Sequence, residues 1–188
     1  LVHISSRAPA FFLISLLKKE NVSVITSIHN KYKSGFFLKN WYNSFLQRGD
    51  EVIFNSHFVK NSYLNNLPNK NFYVIPRGID TDYFKSIKND SHQSLKKILI
   101  PSRISNWKGH NIFLQFFKKI NFKDDYRLLL ISSHKSKYEK KIDSLIKELN
   151  LSKFVLFEKP TLDIKKLYQK SYIVVNFSTR PEGFGRTI

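Results

Sequence analysis

Apolar runs of strand length alternate along this chain with amphipathic stretches of helix length, a pattern that spells successive β-α-β units and a parallel sheet covered on both faces. In the first half the pattern predicts strands over 1–5, 22–28, 51–55 and 72–75. Helices are predicted over 9–19, 36–47 and 57–66, with Ser56 placed to cap the third. Pro76-Arg77-Gly78 breaks the fourth strand, and the polar, aperiodic residues 86–94 read as a linker. A second series follows, with strands over 97–101, 127–132, 154–157 and 172–177 and helices over 110–120, 138–149 and 162–170. The expected fold is α/β with two Rossmann-like domains, 1–85 and 95–188, both incomplete in this chain.

Composition narrows the possibilities. The 188 residues suffice for a substantial core, and the absence of cysteine excludes a disulfide framework or a thiolate metal site. The chain begins at Leu1, contains no methionine and stops within a glycine-rich passage, so the expectation is a fragment of a longer protein. Its net charge of +18 comes largely from lysines, in a background of abundant asparagine that reads as a compositional habit. A basic surface nevertheless attracts anionic membranes, nucleic acids or phosphorylated substrates. Here the lysines lie on every predicted helix rather than in one stripe, and no nucleic-acid-binding motif accompanies them, so no nucleic-acid partner is expected. The six histidines show no metal-ligand spacing, and no zinc or other metal is expected.

Ligands of open α/β sheets bind beyond the carboxyl ends of the strands, and two such ends carry candidate chemistry. Arg103-Ile104-Ser105-Asn106-Trp107-Lys108-Gly109-His110 is a strand-to-helix turn with two cations, suited to a diphosphate or simply solvated. Pro181-Glu182-Gly183-Phe184-Gly185 offers a carboxylate for sugar hydroxyls and glycines that let backbone approach a ligand, or else a surface turn pinned by Phe184. Together the two passages suggest a phosphate-bearing ligand at one crevice. His29 closes the strand Val24-Ile25-Thr26-Ser27-Ile28, where either an active-site loop begins or a polar residue caps the strand. Arg77 follows another strand end, facing the cleft or pairing with Asp80. Arg7 follows the first strand, where it meets an acceptor or its own helix.

In this order the pieces resemble a GT-B glycosyltransferase of the large retaining family 4, group 1. The similarity rests on Val-Ile-Pro-Arg-Gly-Ile-Asp at 74–80 with Phe84, on Pro101-Ser102-Arg103 with Trp107-Lys108-Gly109, and on Pro-Glu-Gly-Phe-Gly-Arg-Thr at 181–187. Ser6-Arg7-Ala8-Pro9-Ala10, Tyr42-Asn43 and Arg48-Gly49-Asp50 are similar to a bacterial subgroup associated with lipopolysaccharide and other envelope glycans. The resemblance implies that 1–85 is the C-terminal part of an acceptor-side domain and 95–188 the N-terminal part of a donor-binding domain. It implies that Arg103 and Lys108 hold the donor diphosphate, that Glu182, Gly183, Phe184 and Gly185 meet the donor sugar, and that His29 and Glu182 are the catalytic residues. Glu182 matches the first glutamate of an E-x7-E motif whose second glutamate would fall beyond Ile188. Arg77 stands where asparagine is commoner, and Ser132-Ser133 where a glycine-rich turn is usual.

The expected function is metal-independent transfer of a sugar, with retention, from a nucleoside-diphosphate-sugar co-substrate to a lipid-linked or polysaccharide acceptor. No cofactor is expected, the location is cytoplasmic and peripheral on an anionic membrane face, and the fragment alone would be inactive. The alternatives are a GT-B sugar synthase with a soluble acceptor and a non-catalytic basic module that binds nucleic acid or other anions.

Overall fold

A computed structural model describes residues 1–33, 35–63, 71–85, 95–120 and 123–185. The chain forms two compact units: Leu1–Ile79 with the described part of Pro181–Arg186, and the described residues of Asp80–Arg180. The expected linker at 86–94 lies outside the described residues, as does the end of the helix expected over 57–66.

The first unit contains β1 (Val2–Ile4), α1 (Arg7–Lys19), β2 (Val24–Ile28), α2 (Phe37–Ser44), β3 (Glu51–Phe54), α3 (His57–Asn61) and β4 (Phe72–Val74). Its strands pair in parallel in the order β1-β2-β3-β4. Ala10, Ile14 and Leu17 recur on one face of α1 and pack on Ile4, Val24, Val52 and Phe54 of the sheet. The helix expected over 36–47 is α2 followed by a 3-10 turn, Phe45–Gln47, whose three residues are buried. That turn is anchored by the buried Thr26 hydroxyl, which donates to the Leu46 carbonyl at 2.7 Å. Asp50 accepts from the Val24 backbone N–H at 2.8 Å, joining the start of β2 to the segment before β3.

The second unit runs β5 (Lys96–Arg103), α4 (His110–Lys118), β6 (Tyr126–Ile131), α5 (Lys137–Glu148), β7 (Val155–Glu158), α6 (Ile164–Gln169) and β8 (Ile173–Val174). Its parallel sheet has the order β7-β6-β5-β8. The alternation along β5 and β6 divides the core in two. Ile98, Ile100, Leu128 and Leu130 face Phe113, Leu114, Phe117 and Ile142, while Leu99, Leu129 and Ile131 face Leu167. A sheet apolar on both faces must be covered on both, and α4 and α5 cover one side while α6 covers the other.

Every helix and strand expected from the pattern has a counterpart. The largest difference is β8, two residues long where 172–177 was expected as strand. Asn176 takes over there, its Oδ1 accepting from the Ser178 backbone N–H at 3.1 Å and from the Ser178 hydroxyl at 2.8 Å, a local turn that ends the ladder.

Candidate functional site

In the second unit the strands read third, second, first, fourth across the sheet, so β5 is flanked by its successor β6 on one side and, after the crossover from β7, by β8 on the other. Such a switch point opens a crevice beyond the strand ends. The turn from β5 to α4 lies there. Arg103 is the exposed last residue of β5, not a loop residue, since the ladder resumes at Arg103 opposite Ile131 after an irregularity. Lys108 closes the turn through its backbone N–H to the Ser105 carbonyl, 3.1 Å, and its ammonium lies 4.3 Å from the centre of the Trp107 ring. Gly109 follows with φ +72°, and a Cβ at this position would overlap the Phe177 carbonyl oxygen. Glycine is therefore required twice over, by backbone conformation and by space. The segment after β8 is tied to the same turn, with Thr179 donating to the Trp107 carbonyl from its backbone N–H (2.8 Å) and its hydroxyl (3.2 Å). Trp107 thus serves as packing platform and backbone acceptor.

Two ionisable groups are buried beside the loops around this crevice. His110, in the first turn of α4, is completely buried, and that burial lowers its pKa to about 4 despite an opposing contact with the Ser102 backbone. The Ser132-Ser133 turn after β6 is held by Glu139. This carboxylate accepts from the Ser132 hydroxyl and from the backbone N–H groups of Ser133, Lys135 and Ser136, while Ser136 caps α5 in return. Burial pushes the Glu139 pKa up, but the donors of Ser136, Ser133 and Ser132 outweigh it and hold it at about 2.

The first unit carries the other expected residues. His29, half-buried just beyond β2, makes polar contacts through both ring nitrogens: Nε2 lies 3.1 Å from the Ser27 hydroxyl, and the Arg77 guanidinium reaches Nδ1 at 3.5 Å. Ser27 Oγ is in turn 3.1 Å from Nε2 of His3 on β1. Burial, then the Arg77 charge, then His3 lower the His29 pKa below the ordinary histidine value. Gly183 sits directly on this histidine, because a Cβ there would overlap the His29 carbonyl oxygen. The Gly183 carbonyl accepts from the Ser56 hydroxyl at 2.5 Å, and Ser56 Oγ also accepts from the Val59 N–H to cap α3. Glu182, Phe184 and Gly185 flank this anchor and are half-buried. The packing therefore brings Glu182, Gly183, Phe184 and Gly185 together with His29 in the first unit, whereas Arg103 and Lys108 belong to the second. The division of the sequence at 86–94 had kept all of 95–188 together, and it is the Gly183 contacts with His29 and Ser56 that draw the segment from Pro181 to the first unit.

Sequence reasoning singled out Arg77 without its partner and passed over His3 and Ser27. The available signal was strand alternation: Ile25, Ser27 and His29 share one face of β2, and parallel register sets His3 beside Ile25 on that face. Asp80 does not pair with Arg77 and instead accepts from the Tyr83 backbone N–H at 2.8 Å. Arg7 opens α1 and donates to Asn43 Oδ1 of α2 at 2.8 Å, so joining two of the passages noted in the sequence. Among the described residues no group of three or more acidic, histidine or cysteine side chains is placed to hold a metal, and no helix is long and apolar enough to cross a membrane.

Two family models cover the chain: Glycosyltransferase Family 4 matches residues 1–83 and Glycosyl transferases group 1 matches residues 83–188. No curated protein matches. Among solved structures, a glycosyltransferase from Rickettsia africae ESF-5 is similar with a TM-score of 0.81 and 30% identity, over 100% of this chain and 54% of that one. Anabaena Alr3699/HepE in complex with UDP and glucose is similar with a TM-score of 0.83 and 21% identity, over 99% of this chain and 55% of that one. Sucrose-phosphate synthase from Thermosynechococcus elongatus gives 0.78 and 17%, over 98% and 52%. The chain thus spans about half the length of these relatives, and its units have the Rossmann-like α/β fold of GT-B proteins.

Proposed function

Because the chain belongs to the Glycosyl transferases group 1 family, we propose that the intact protein transfers a sugar from a nucleoside-diphosphate donor to a lipid-linked or polysaccharide acceptor, with retention and without a metal ion. The observation that carries this reading is the β5–α4 turn at the switch point of the second unit. There Gly109 brings the start of a helix against the chain after β8, and Arg103 and Lys108 add two positive charges. Backbone N–H groups at a helix start, with a guanidinium and an ammonium nearby, suit a diphosphate and its growing charge as it departs. The complexes of Alr3699/HepE with UDP and with UDP-glucose support a nucleotide sugar as the donor class.

In this reading Arg103 and Lys108 bind the diphosphate and stabilise it as the leaving group, the work a divalent cation performs elsewhere. Glu182 accepts hydrogen bonds from sugar hydroxyls, and Gly183, Phe184 and Gly185 hold the backbone close to the sugar. His29 contacts the sugar near the reacting carbon. The acceptor hydroxyl attacks that carbon on the face the phosphate leaves: a new C–O bond forms, the C–O bond to phosphate breaks, and the hydroxyl proton passes to the departing phosphate oxygen. Net retention follows from attack and departure on one face.

A lipid-linked acceptor is favoured by an apolar surface on the first unit. Phe12 (71% exposed), Phe36 (74%) and Phe37 (81%) project from α1 and the start of α2, with Leu16, Leu38 and Trp41 also exposed. Phe11 joins the two elements through edge contacts with Phe12 and Trp41, and Lys18, Lys19, Lys31, Lys33 and Lys39 are exposed in the same segments. Aromatic side chains bordered by lysines suit an anionic bilayer surface on the cytoplasmic face.

The test uses the intact protein. Calorimetry with nucleoside diphosphates should show binding that Arg103→Ala weakens. Sugar transfer should fall by about 10²–10³ in kcat for Arg103→Ala or Lys108→Ala, the scale of losing one preorganised stabiliser. It should persist in excess chelator and yield a product of unchanged anomeric configuration. Binding to short DNA without any nucleotide binding would overturn the enzyme reading.

A further inference from the structure

We infer that Ser27 and His3 are positioning residues that set the tautomer of His29, through a one-way hydrogen-bond chain from His29 Nε2–H to Ser27 Oγ and from the Ser27 hydroxyl hydrogen to His3 Nε2. Ser27 Oγ lies 3.1 Å from each Nε2. A hydroxyl has one hydrogen, so between two imidazole nitrogens it donates to one and accepts from the other. The direction is decided at the far side of the His29 ring. Arg77 presents an N–H to Nδ1 at 3.5 Å, and a guanidinium has donors only, so Nδ1 keeps its lone pair. The ring's single proton is then on Nε2, facing Ser27. The reverse chain would set Nδ1–H against a guanidinium N–H, and a doubly protonated ring would set cation against cation.

The surroundings agree. Ser27 is 3% exposed, so the middle of the chain is shielded from competing water, while His3 ends it at the surface. The groups acting on the His29 charge are Arg77, from the segment after β4, and His3, from β1. Both oppose a proton, and burial opposes it more strongly. Glu182 immediately precedes the glycine that sits on the His29 carbonyl. The consequence rests on the reading of His29 as a contact of the donor sugar: the Nδ1 lone pair is the one acceptor of the ring, and a sugar hydroxyl that donates to it takes the place of the long 3.5 Å contact with the Arg77 N–H.

The test is a long-range 1H–15N correlation spectrum of the histidine-labelled intact protein near pH 7.5, together with steady-state kinetics. His29 should be neutral with the proton on Nε2, and His3 should carry its proton on Nδ1. Ser27→Ala removes the 3.1 Å partner of Nε2 and leaves only the long 3.5 Å Arg77 contact to bias the ring, so the Nδ1–H form should become detectable and kcat should fall about tenfold, the worth of one net hydrogen bond, with donor KM changed less than about twofold. Ser27→Thr, which keeps the hydroxyl, should restore both. His29 as an Nδ1–H tautomer or an imidazolium in the wild type would overturn the inference without requiring any variant to fold. Ser27→Ala with an unchanged tautomer would overturn it as well. His29→Ala with full activity would instead defeat the role of His29 at the sugar, while the tautomer result would stand.

Discussion

His110 and Glu139 show how single buried groups write themselves into the behaviour of the protein. A histidine held neutral in the fold takes up a proton more readily when unfolded, so acid draws the equilibrium toward the unfolded chain. With the folded value at about 4 against an ordinary 6.5, stability falls as pH drops from about 6.5 toward 4. Glu139 has the depressed carboxylate sense: its contribution is complete above 4.5 and is lost as pH falls toward about 2. Denaturant unfolding of the intact protein across pH should therefore separate two windows. His110→Leu should flatten the upper one, and Glu139→Gln the lower, with a loss at neutral pH of about 1–3 kcal/mol from the buried donors left unmatched. A single window unaffected by His110→Leu would contradict the burial of that imidazole. The same carboxylate explains why Ser132-Ser133 can stand in place of a glycine-rich turn: hydroxyls and backbone donors converge on Glu139, and the loop is shaped by an acceptor rather than by backbone freedom.

At the scale of elements, the β5–α4 turn depends on one glycine. Gly109→Ala must adopt a left-handed backbone and push against the Phe177 carbonyl, so the turn and the segment after β8 have to separate. The expected cost is more than about 1 kcal/mol, read as a lowered melting temperature, with nucleotide affinity falling further than stability because the helix start is displaced. Unchanged nucleotide affinity in a folded Gly109→Ala protein would remove this turn from the donor site. The elements themselves were legible in the sequence because each follows a local period: Ala10, Ile14 and Leu17 at helical spacing, Ile98 to Ile100 and Leu128 to Ile131 as short runs apolar on both faces. Their ends were less legible. β8 stops after Val174 because Asn176 binds Ser178, a competition between side chain and ladder that periodicity does not register. Arg103 extends β5 because its pairing resumes with Ile131 after an irregularity, which no local pattern foretells.

The molecule as a whole is defined by its charge and by what its surface exposes. A net charge of +18 with lysines on every helix gave no direction to the attraction, whereas the fold gathers Phe12, Phe36, Phe37 and Trp41 on one unit beside exposed lysines. The intact protein should sediment with vesicles containing anionic lipid and less with neutral ones, and salt should weaken the binding. Replacing Phe12, Phe36 and Phe37 together by Ser should reduce the bound fraction severalfold at constant charge, since aromatic insertion and lysine attraction act together. Equal sedimentation with neutral and anionic vesicles, or none at all, would favour a soluble acceptor.

By itself the sequence determined the α/β class, the order of the elements, the strand-to-helix turn that carries Lys108, the strand that leads into His29, and the passages that mark the family. All of these are properties of neighbours in the chain, which period and turn chemistry report directly. Only the tertiary structure decided that Pro181–Gly185 packs on the first unit, that Arg77 faces His29 rather than Asp80, and that Ser27 links two histidines from adjacent strands. The physical reason is range. Ser56 and Gly183 are 127 positions apart, and His3 and Ser27 are 24 apart. Contacts at such separations depend on strand register and on which face a side chain takes, and these are set when the sheets assemble. The glycine-rich passage illustrates both halves: its composition showed that backbone could approach something closely, and the fold showed that what it approaches is the carbonyl of His29.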